Sequence, residues 1–255
     1  MVVDREQISQ LAGSGVWPAI SSVTGLPSPS GDSYLAPDYE GKELKVDVAG
    51  AKKLLTEAGY TWNGDKKLVD PDGEVVTFEL QNPAGWNDYL TALDLIKSGA
   101  AELGGVDATV NAANQDAWFN DTIPFGNFQA TLHWTDGGAT PWNMYENIMD
   151  GAQYKPLGET ATWNFGRFQN DEVTKALADY QTATSDDART TAMDTIQKVF
   201  VEETPGPDHL VAPGRRAVQH EELHGLPDAG GPVREPQPTG PQAALILSKL
   251  KPSES

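Results

Sequence analysis

The sequence predicts an α/β fold in which a mostly parallel sheet is flanked by helices. Strand-like runs alternate with helical patterns along the middle of the chain. Strands are predicted at 75–82 and 107–114, and a helix follows each of them, at 87–104 and at 115–122. The 255 residues are 38% hydrophobic, which is enough to fill a sizeable core. In parallel sheets, ligands bind beyond the carboxyl ends of the strands, so the loops at these ends are the expected functional region.

The chain begins with a short predicted helix and a loop. In DREQISQLAGSG at 4–15, Asp4 is a suitable N-cap and Gly13 a suitable end. The remainder of residues 1–45 is rich in Pro, Gly and Ser, which predicts an ordered loop. We therefore expect a lead helix and loop in front of an α/β lobe that spans 46–205.

The predicted lobe begins with a helix and a hairpin. VDVAGAKKLLTEAGYTW at 46–62 has one apolar face, and Gly59 is a natural stop. KKLVDPDGEVVTFEL at 66–80 places a Pro-Asp-Gly turn between two strand-like runs. The remaining predicted elements are a strand at 128–135 and helices at 141–151, 170–184 and 186–204.

The composition excludes several classes of partner. The net charge of −19 and the pI of about 4.4 argue against nucleic acid, whose phosphates need Lys and Arg, and against anionic lipid. The absence of cysteine excludes disulfides, thiol nucleophiles and Cys-ligated metals. There is no run of about 18 apolar residues that would span a membrane. The first residues, MVVDREQISQ, lack the pattern of an export signal.

Aromatic residues cluster where the predicted strands end, most clearly in WTDGGATPWNMY at 134–145. An indole offers a flat apolar face and one N–H donor, which suits stacking on a sugar ring or a peptide side chain. These residues could instead belong to the core, but their grouping beside Asp and Asn favours a binding cleft. The predicted ligand-binding residues are Trp86, Asp88, Tyr89, Trp118, Trp134, Asp136, Trp142, Asn143, Tyr145 and Trp163.

Catalytic motifs are absent from most of the sequence. There is no GxSxG elbow, and the glycine-rich run WTDGGATP lacks the lysine of a phosphate-binding loop. The sequence therefore predicts a protein that is not an enzyme and needs no cofactor.

One motif suggests a different chemistry. HEELH matches HExxH, in which two His on one helix face bind zinc and the Glu is a general base, here His220, Glu221 and His224. The helix would be short, because Gly225 and Pro227 end it, and no third His follows at metzincin spacing. A zinc metallohydrolase is therefore an alternative that the sequence does not favour.

Several segments together carry a family resemblance. VDVAGAKKLLTEAGY is similar to the pattern D..KAK.LL.EAGY, and VVDREQISQLAGSG is similar to a preceding helix of the same family. WTDGGATPWNMY corresponds to a W..D...P loop, and NFGRFQNDEVTKALADYQ begins a similar helical pair. In this order the segments resemble the peptide/oligosaccharide class of solute-binding proteins of bacterial ABC importers, the dipeptide- and oligopeptide-binding protein family.

The resemblance implies a periplasmic-binding-protein-like lobe, truncated relative to the full two-lobe fold. It implies an extracytoplasmic receptor, periplasmic or a cell-surface lipoprotein, that works with ABC transporter permease subunits and a missing first lobe. Peptide binders of this family tend to carry acids after the loop tryptophan, where this chain has Gly137 and Thr140, with only Asp136 nearby. That difference favours an oligosaccharide, such as a β-glucan fragment, over an oligopeptide.

The segment 206–236 departs from the family pattern. It holds three of the four His and three of the six Arg and no aromatic residue, whereas the family's tail is rich in Tyr, Asn and Pro. One permitted coding of 216–235, read one base later, gives ARYSTKNYTGFPTPEDPYAN, which resembles that tail. We hypothesise two compensating frameshifts, which would leave 206–236 irregular and loosely packed in front of a C-terminal tail at 237–255. A non-functional remnant of a truncated binding-protein gene is a further alternative.

Overall fold

The structure is a computed structural model that describes residues 1–203 together with the backbone of 212–213 and 242–247. The α-helices are α1 Arg5–Leu11, α2 Val48–Glu57, α3 Asn87–Ala101, α4 Gln115–Ala117, α5 Ile123–Phe125, α6 Trp142–Met149, α7 Asp171–Thr182 and α8 Asp186–Glu203. The strands are β1 Thr61–Trp62, β2 Leu68–Val69, β3 Thr77–Pro83, β4 Asp107–Ala113, β5 Ala130–Thr135, β6 Ala212–Pro213 and β7 Gln242–Leu247.

The main sheet has the strand order β4-β3-β5-β7-β6. Strand β3 pairs in parallel with β4 and with β5, and α3 is the crossover between β3 and β4. Strand β7 pairs antiparallel with β5 and with β6. The α/β class with a parallel sheet is confirmed. Within the predicted C-terminal tail at 237–255, Gln242–Leu247 forms a strand beside β5, and the bounds of the tail stay a prediction.

Two of the predicted helices begin at residues whose side chains cap the first turn. The Asp4 carboxylate accepts a hydrogen bond from the backbone N–H of Gln7 at 2.9 Å, and Asn170 caps α7 in the same way. The predicted helix at 115–122 is the exception. It breaks into α4, a π-helical turn at Trp118–Thr122 and α5, an irregularity that is frequent at functional sites.

The hairpin lies one strand earlier than predicted. Strand β2 pairs with β1 rather than with β3, and the Asp-Pro-Asp-Gly turn is spanned by the isolated bridge Val69↔Val75 and by backbone hydrogen bonds beside it. The turn itself is as expected: the Asp70 carboxylate accepts from the N–H groups of Asp72 and Glu74. The Trp62 indole N–H donates to the Gly104 carbonyl at 2.7 Å, which holds this hairpin against the end of α3.

Two of the three apolar clusters in the described residues connect the lead segment to the rest of the fold. The first joins α1 and α3 to the sheet through Ile8, Leu93 and Leu132, so the lead helix shares a core with the strands. The second lies among α6, α7 and α8 and includes Tyr145 and Phe200. The predicted boundary between the lead segment at 1–45 and the lobe at 46–205 stays a prediction.

The lead loop is fastened to the helical cluster by a buried amide. Gln197 on α8 is 0% exposed, and its Oε1 accepts from the Ala36 N–H at 3.0 Å while its Nε2 donates to the Tyr34 carbonyl at 2.7 Å. Each bond pairs a backbone group that would otherwise be buried without a partner. The Gln197 side chain therefore positions the loop that contacts residues after β5.

Replacing Gln197 with Leu should lower the free energy of unfolding by about 2–4 kcal/mol, because two backbone groups lose their partners in the interior. Urea denaturation of Q197L and of the wild type measures this difference. Gln181→Leu, on the exposed face of α7, is the matched control and should change stability by less than about 0.5 kcal/mol. Equal effects of the two substitutions would contradict the role of the Gln197 amide.

Candidate functional site

The carboxyl ends of three parallel strands meet at one edge of the sheet. Pro83 at the end of β3 lies opposite Ala113 at the end of β4, and β5 runs in the same direction and ends at Thr135. The Ala84 N–H continues the ladder by donating to the Ala113 carbonyl at 2.8 Å. The predicted aromatic loops therefore begin side by side at this edge.

Strands β3 and β5 separate before they reach the edge. Their backbone pairing covers only Leu80↔Ala130 and Gln81↔Thr131. Beyond these pairs, the fully buried side chain of Asn82 forms the hydrogen bonds to β5 in place of the β3 backbone. Its Nδ2 donates to the Leu132 carbonyl at 2.8 Å and its Oδ1 accepts from the Leu132 N–H at 3.0 Å. The amide thus satisfies both backbone groups of Leu132 while it holds the strands apart.

Aromatic rings pack over this widened edge in a continuous cluster, which we call the aromatic band. Its members are Trp86, Tyr89, Trp118, Phe119, His133, Trp134, Trp163 and Phe165. The ring centroid of Trp86 lies 5.4 Å from that of Tyr89 and 5.3 Å from that of Trp118. It also lies 6.0 Å from that of Trp134. Tilted and edge-on pairs at these distances stabilise each other by about 0.5–1.5 kcal/mol beyond burial.

The band has an inner and an outer layer. Trp118, predicted to contact ligand, is 0% exposed, and its indole N–H donates to the Thr131 hydroxyl at 3.2 Å. The ring stacks on His133 and its indole N–H is used inside the protein, so Trp118 lies in the inner layer, and a direct ligand contact by it stays a prediction. The outer, partly buried layer consists of Trp86, Tyr89, Phe119, Trp134 and Trp163. Phe119 was missed by the sequence reasoning, although it directly follows Trp118.

Two other predicted residues lie away from the band. Tyr145 is 0% exposed in the helical cluster, where its hydroxyl donates to the Thr24 carbonyl at 2.8 Å. Trp142 packs against the same cluster, and its indole N–H donates to the Leu177 carbonyl at 2.9 Å. The fully buried Tyr145 therefore does not share an open wall with Trp134, whereas a ligand contact by the partly buried Trp142 stays a prediction. Both side chains anchor the start of α6.

The Gly-Gly turn after β5 has a local explanation. A Cβ atom added to Gly138 would lie 2.0 Å from Oδ1 of Asn143, so any larger residue there would require the Asn143 amide to move. Asn143, predicted to contact ligand, thus packs its side chain against this turn. The turn also borders a shallow cavity of about 50 Å³, which Met144 and Tyr34 help to line. The Tyr34 hydroxyl donates to the Ala139 carbonyl at 3.3 Å.

Acidic residues lie close in sequence to two rings of the band, Trp86 and Trp134. Asp88 is half-buried at the first turn of α3, beside Trp86 in sequence. Asp136 follows β5, and its backbone N–H donates to Oδ1 of Asn147 at 2.6 Å. Partial desolvation raises the pKa of the Asp136 carboxyl. Burial, then the charge of Asp150, raises the pKa of Glu146 in the same region.

His133 is the residue of the band that sequence reasoning missed most clearly. It is 4% exposed, and its ring stacks on that of Trp134 with centroids 4.0 Å apart and planes inclined by 22°. Its Nδ1–H donates to the Trp134 carbonyl at 2.7 Å. Burial lowers the pKa of His133 to about 4, so the imidazole is neutral at physiological pH. The only sequence signal was a histidine within an apolar strand.

The part of the chain that the structure describes contains no cluster of three or more His, Asp or Glu side chains able to hold a metal ion. In the same part, no helix is long and apolar enough to cross a membrane. His220, Glu221 and His224 of the HEELH motif lie outside the described residues. The hypothesis of a loosely packed, frameshifted 206–236 also falls outside them, apart from β6.

Comparison with known sequences identifies the family. The model of bacterial extracellular solute-binding proteins, family 5 (middle region), matches residues 1–156. This match covers more than half of the 255 residues, so the chain belongs to that family. The resemblance inferred from the sequence is thereby confirmed. No match was found among curated proteins.

Solved structures share the fold. A periplasmic oligopeptide-binding protein of an ABC transporter from Thermotoga maritima, solved with bound mannohexaose, has a TM-score of 0.70 and 22% identity. The oligopeptide-binding protein AppA from Bacillus subtilis, in complex with a nonapeptide, has a TM-score of 0.65 and 19% identity. NikZ from Campylobacter jejuni, in complex with Ni(L-His), has a TM-score of 0.63 and 19% identity.

The similarity covers much of this chain but a smaller part of each neighbour. In all three cases it spans 80% of this chain and 38% of the other one. The present sequence therefore corresponds to well under half the length of these neighbours. The matched family and the neighbours are binding proteins rather than enzymes.

The buried imidazole predicts a pH dependence of stability. The unfolded chain protonates His133 near pH 6.5, whereas the folded protein does so only at about 4. Between these values the unfolded state binds more protons, so acidification favours unfolding. Relative to His133→Phe, wild-type stability should fall by about 2–3 kcal/mol between pH 7 and pH 4.5.

Urea denaturation of both proteins at the two pH values measures this change. Asp136 and Glu146 titrate in both proteins, so their contributions cancel in the difference between wild type and variant. A wild type and variant that lose stability in parallel would contradict a buried, neutral His133.

Proposed function

We propose that this chain is the solute-binding lobe of an ABC importer receptor and that its aromatic band binds an extended oligosaccharide. The observation that carries the proposal is the outer layer of partly buried rings along the carboxyl edge of the parallel strands. Ligands of open α/β sheets bind beyond this edge. A row of flat apolar faces suits the C–H faces of successive sugar rings.

The polar groups beside the band also suit a sugar. Asp88 and Asp136 follow Trp86 and Trp134 closely in sequence and carry acceptor oxygens for sugar hydroxyl groups. Gly137 and Thr140 stand where peptide binders of the family tend to carry acids for a peptide amine. The mannohexaose bound to the Thermotoga maritima neighbour supports an oligosaccharide.

An oligopeptide is the second candidate ligand. The AppA neighbour was solved with a nonapeptide and NikZ with a nickel–histidine complex, so the shared fold accommodates several ligand classes. The choice between them depends on the band itself, whose outer rings are indoles and phenyl rings rather than charged groups. The matched family gives no support to a zinc hydrolase built on HEELH, and we do not propose that activity.

The proposed receptor has two further partners. A first lobe would supply the opposite wall of the cleft, and closure of the two lobes would clamp the solute. Permease subunits of the importer would receive the loaded receptor outside the cytoplasm. A lone lobe makes only half of these contacts, so we expect it to bind weakly.

The proposed ligand class is tested by titrating the purified chain with mannohexaose, cellohexaose and an uncharged nonapeptide, using calorimetry and tryptophan fluorescence. We expect saturable binding of an oligosaccharide. Trp134→Ala should weaken it at least about tenfold, because one stacking face is lost. Trp62→Ala removes an indole bonded to Gly104 on the hairpin and should leave binding unchanged.

Three results would contradict the proposal in different ways. Saturable binding of the nonapeptide but of neither oligosaccharide would mean that the ligand is a peptide, while the proposed site would stand. Equal losses for W134A and W62A would mean that binding depends on general stability rather than on the band. No binding of any probe by the folded chain would favour the remnant hypothesis.

A further inference from the structure

We propose that His133 is a positioning residue that holds the Trp134 indole in place as a stacking surface for ligand. The inference rests on the proposed function of the aromatic band. His133 would not contact the ligand itself, because its side chain lies in the inner layer and is 4% exposed. Its effect on binding would act through Trp134, which is only partly buried.

The ring contacts of Trp134 are unequal. His133 lies closest, with centroids 4.0 Å apart and planes inclined by 22°. The contacts with Trp86 at 6.0 Å and Phe119 at 6.1 Å are longer, and those rings are tilted by 45° and 57°. Among these three neighbouring rings, the imidazole alone lies nearly parallel to the indole at stacking distance. The tilted neighbours leave the indole freer to rotate.

His133 is also tied to the backbone that carries the indole. Its Nδ1–H donates to the carbonyl of Trp134 at 2.7 Å. The imidazole therefore touches both the main chain and the side chain of the same residue. Rotation of the indole away from the imidazole would break the stack without breaking this hydrogen bond. The bond adds to the ring packing that keeps the imidazole in place.

Other aromatic rings hold the His133 imidazole in place. The imidazole stacks on Trp118 with centroids 5.6 Å apart and planes inclined by 15°. Phe165 packs at 4.7 Å and Trp163 meets it edge-on at 5.7 Å. Aromatic groups enclose the ring, and its pKa of about 4 is consistent with that apolar surrounding. A neutral planar ring in such a place acts through packing rather than through charge.

A fixed indole lowers the cost of binding. Ordering one mobile side chain on binding weakens affinity by about two- to tenfold. Loss of the support should therefore weaken ligand binding by up to about tenfold. The ligand-free protein should already show the difference, since Trp134 would become mobile before any ligand is added.

Two substitutions separate the ring from the hydrogen bond. His133→Phe keeps a flat ring and removes the donor, whereas His133→Asn keeps a donor near the position of Nδ1 and removes the ring. Val199→Ala, in the helical cluster, is the control for a general loss of stability. Mannohexaose affinity is measured by calorimetry for all four proteins, under conditions where each is folded.

The second measurement is made without ligand. The indole ¹⁵N–¹H signal of Trp134 is assigned by its absence in Trp134→Phe, and its heteronuclear NOE reports side-chain mobility on the picosecond to nanosecond scale. We expect a rigid indole in the wild type, H133F and V199A, and a mobile one in H133N. Affinity should stay within about threefold of the wild type for H133F and V199A and fall about tenfold for H133N.

The outcomes distinguish this inference from the proposed function. A rigid Trp134 indole and unchanged affinity in H133N would overturn the positioning role while the oligosaccharide site stands. An equal loss of affinity in V199A and H133N would also overturn it, since stability would then explain both. A third outcome is that the wild type does not bind mannohexaose, while the Trp134 indole is mobile in H133N and rigid in the other proteins. His133 would then position Trp134, but the proposed ligand would be wrong.

Discussion

The separation of β3 from β5 is the constraint on which the rest of the site depends. Neighbouring strands normally continue their ladder to the end, but here the Asn82 amide replaces it from Leu132 onward. Without the amide, two buried backbone groups would lose their partners, at a cost of about 1–3 kcal/mol each. The widened edge is bordered by Thr131, whose hydroxyl donates to the Gln81 carbonyl and accepts from the Trp118 indole. The strand geometry and the inner rings are thus parts of one bonded arrangement.

The division of the band into two layers gives the exposed rings a rigid base. Trp118, His133 and Phe165 are buried, and they lie against the partly exposed indoles of Trp134 and Trp163. A binding surface that is already ordered avoids part of the entropy loss on association. The same packing explains why so many aromatic residues occur near a few strand ends: some support the surface and others form it.

The loop after β5 connects the band to the helical cluster. Asp136 is held by Asn147 on α6, and Tyr145 on the same helix bonds to Thr24 in the lead loop. The Gln197 amide on α8 fastens the lead loop from the other side. The carboxyl edge therefore rests on both apolar clusters, and the lead segment is part of its support rather than an appendage.

Much of the fold could be predicted because it depends on residues close together in the chain. Hydrophobic periodicity predicted β3, α3, β4 and β5 within a few residues, and Asp4 predicted the start of α1. The order of these local motifs also indicated the family. Strand direction then placed the loop aromatics at one edge, since the carboxyl ends of parallel strands meet there.

The sequence by itself therefore determined the alternation of elements, the family and the grouping of aromatic residues at the strand ends. Only the tertiary structure decided which aromatic rings face inward. Tyr145 is buried by a contact with Thr24, 121 positions away, and β7 joins β5 from the far end of the chain. Such contacts leave no local pattern, because burial depends on which distant segments pack together. For the same reason His133, one histidine in an apolar strand, gave no sign of the indole that stacks on it.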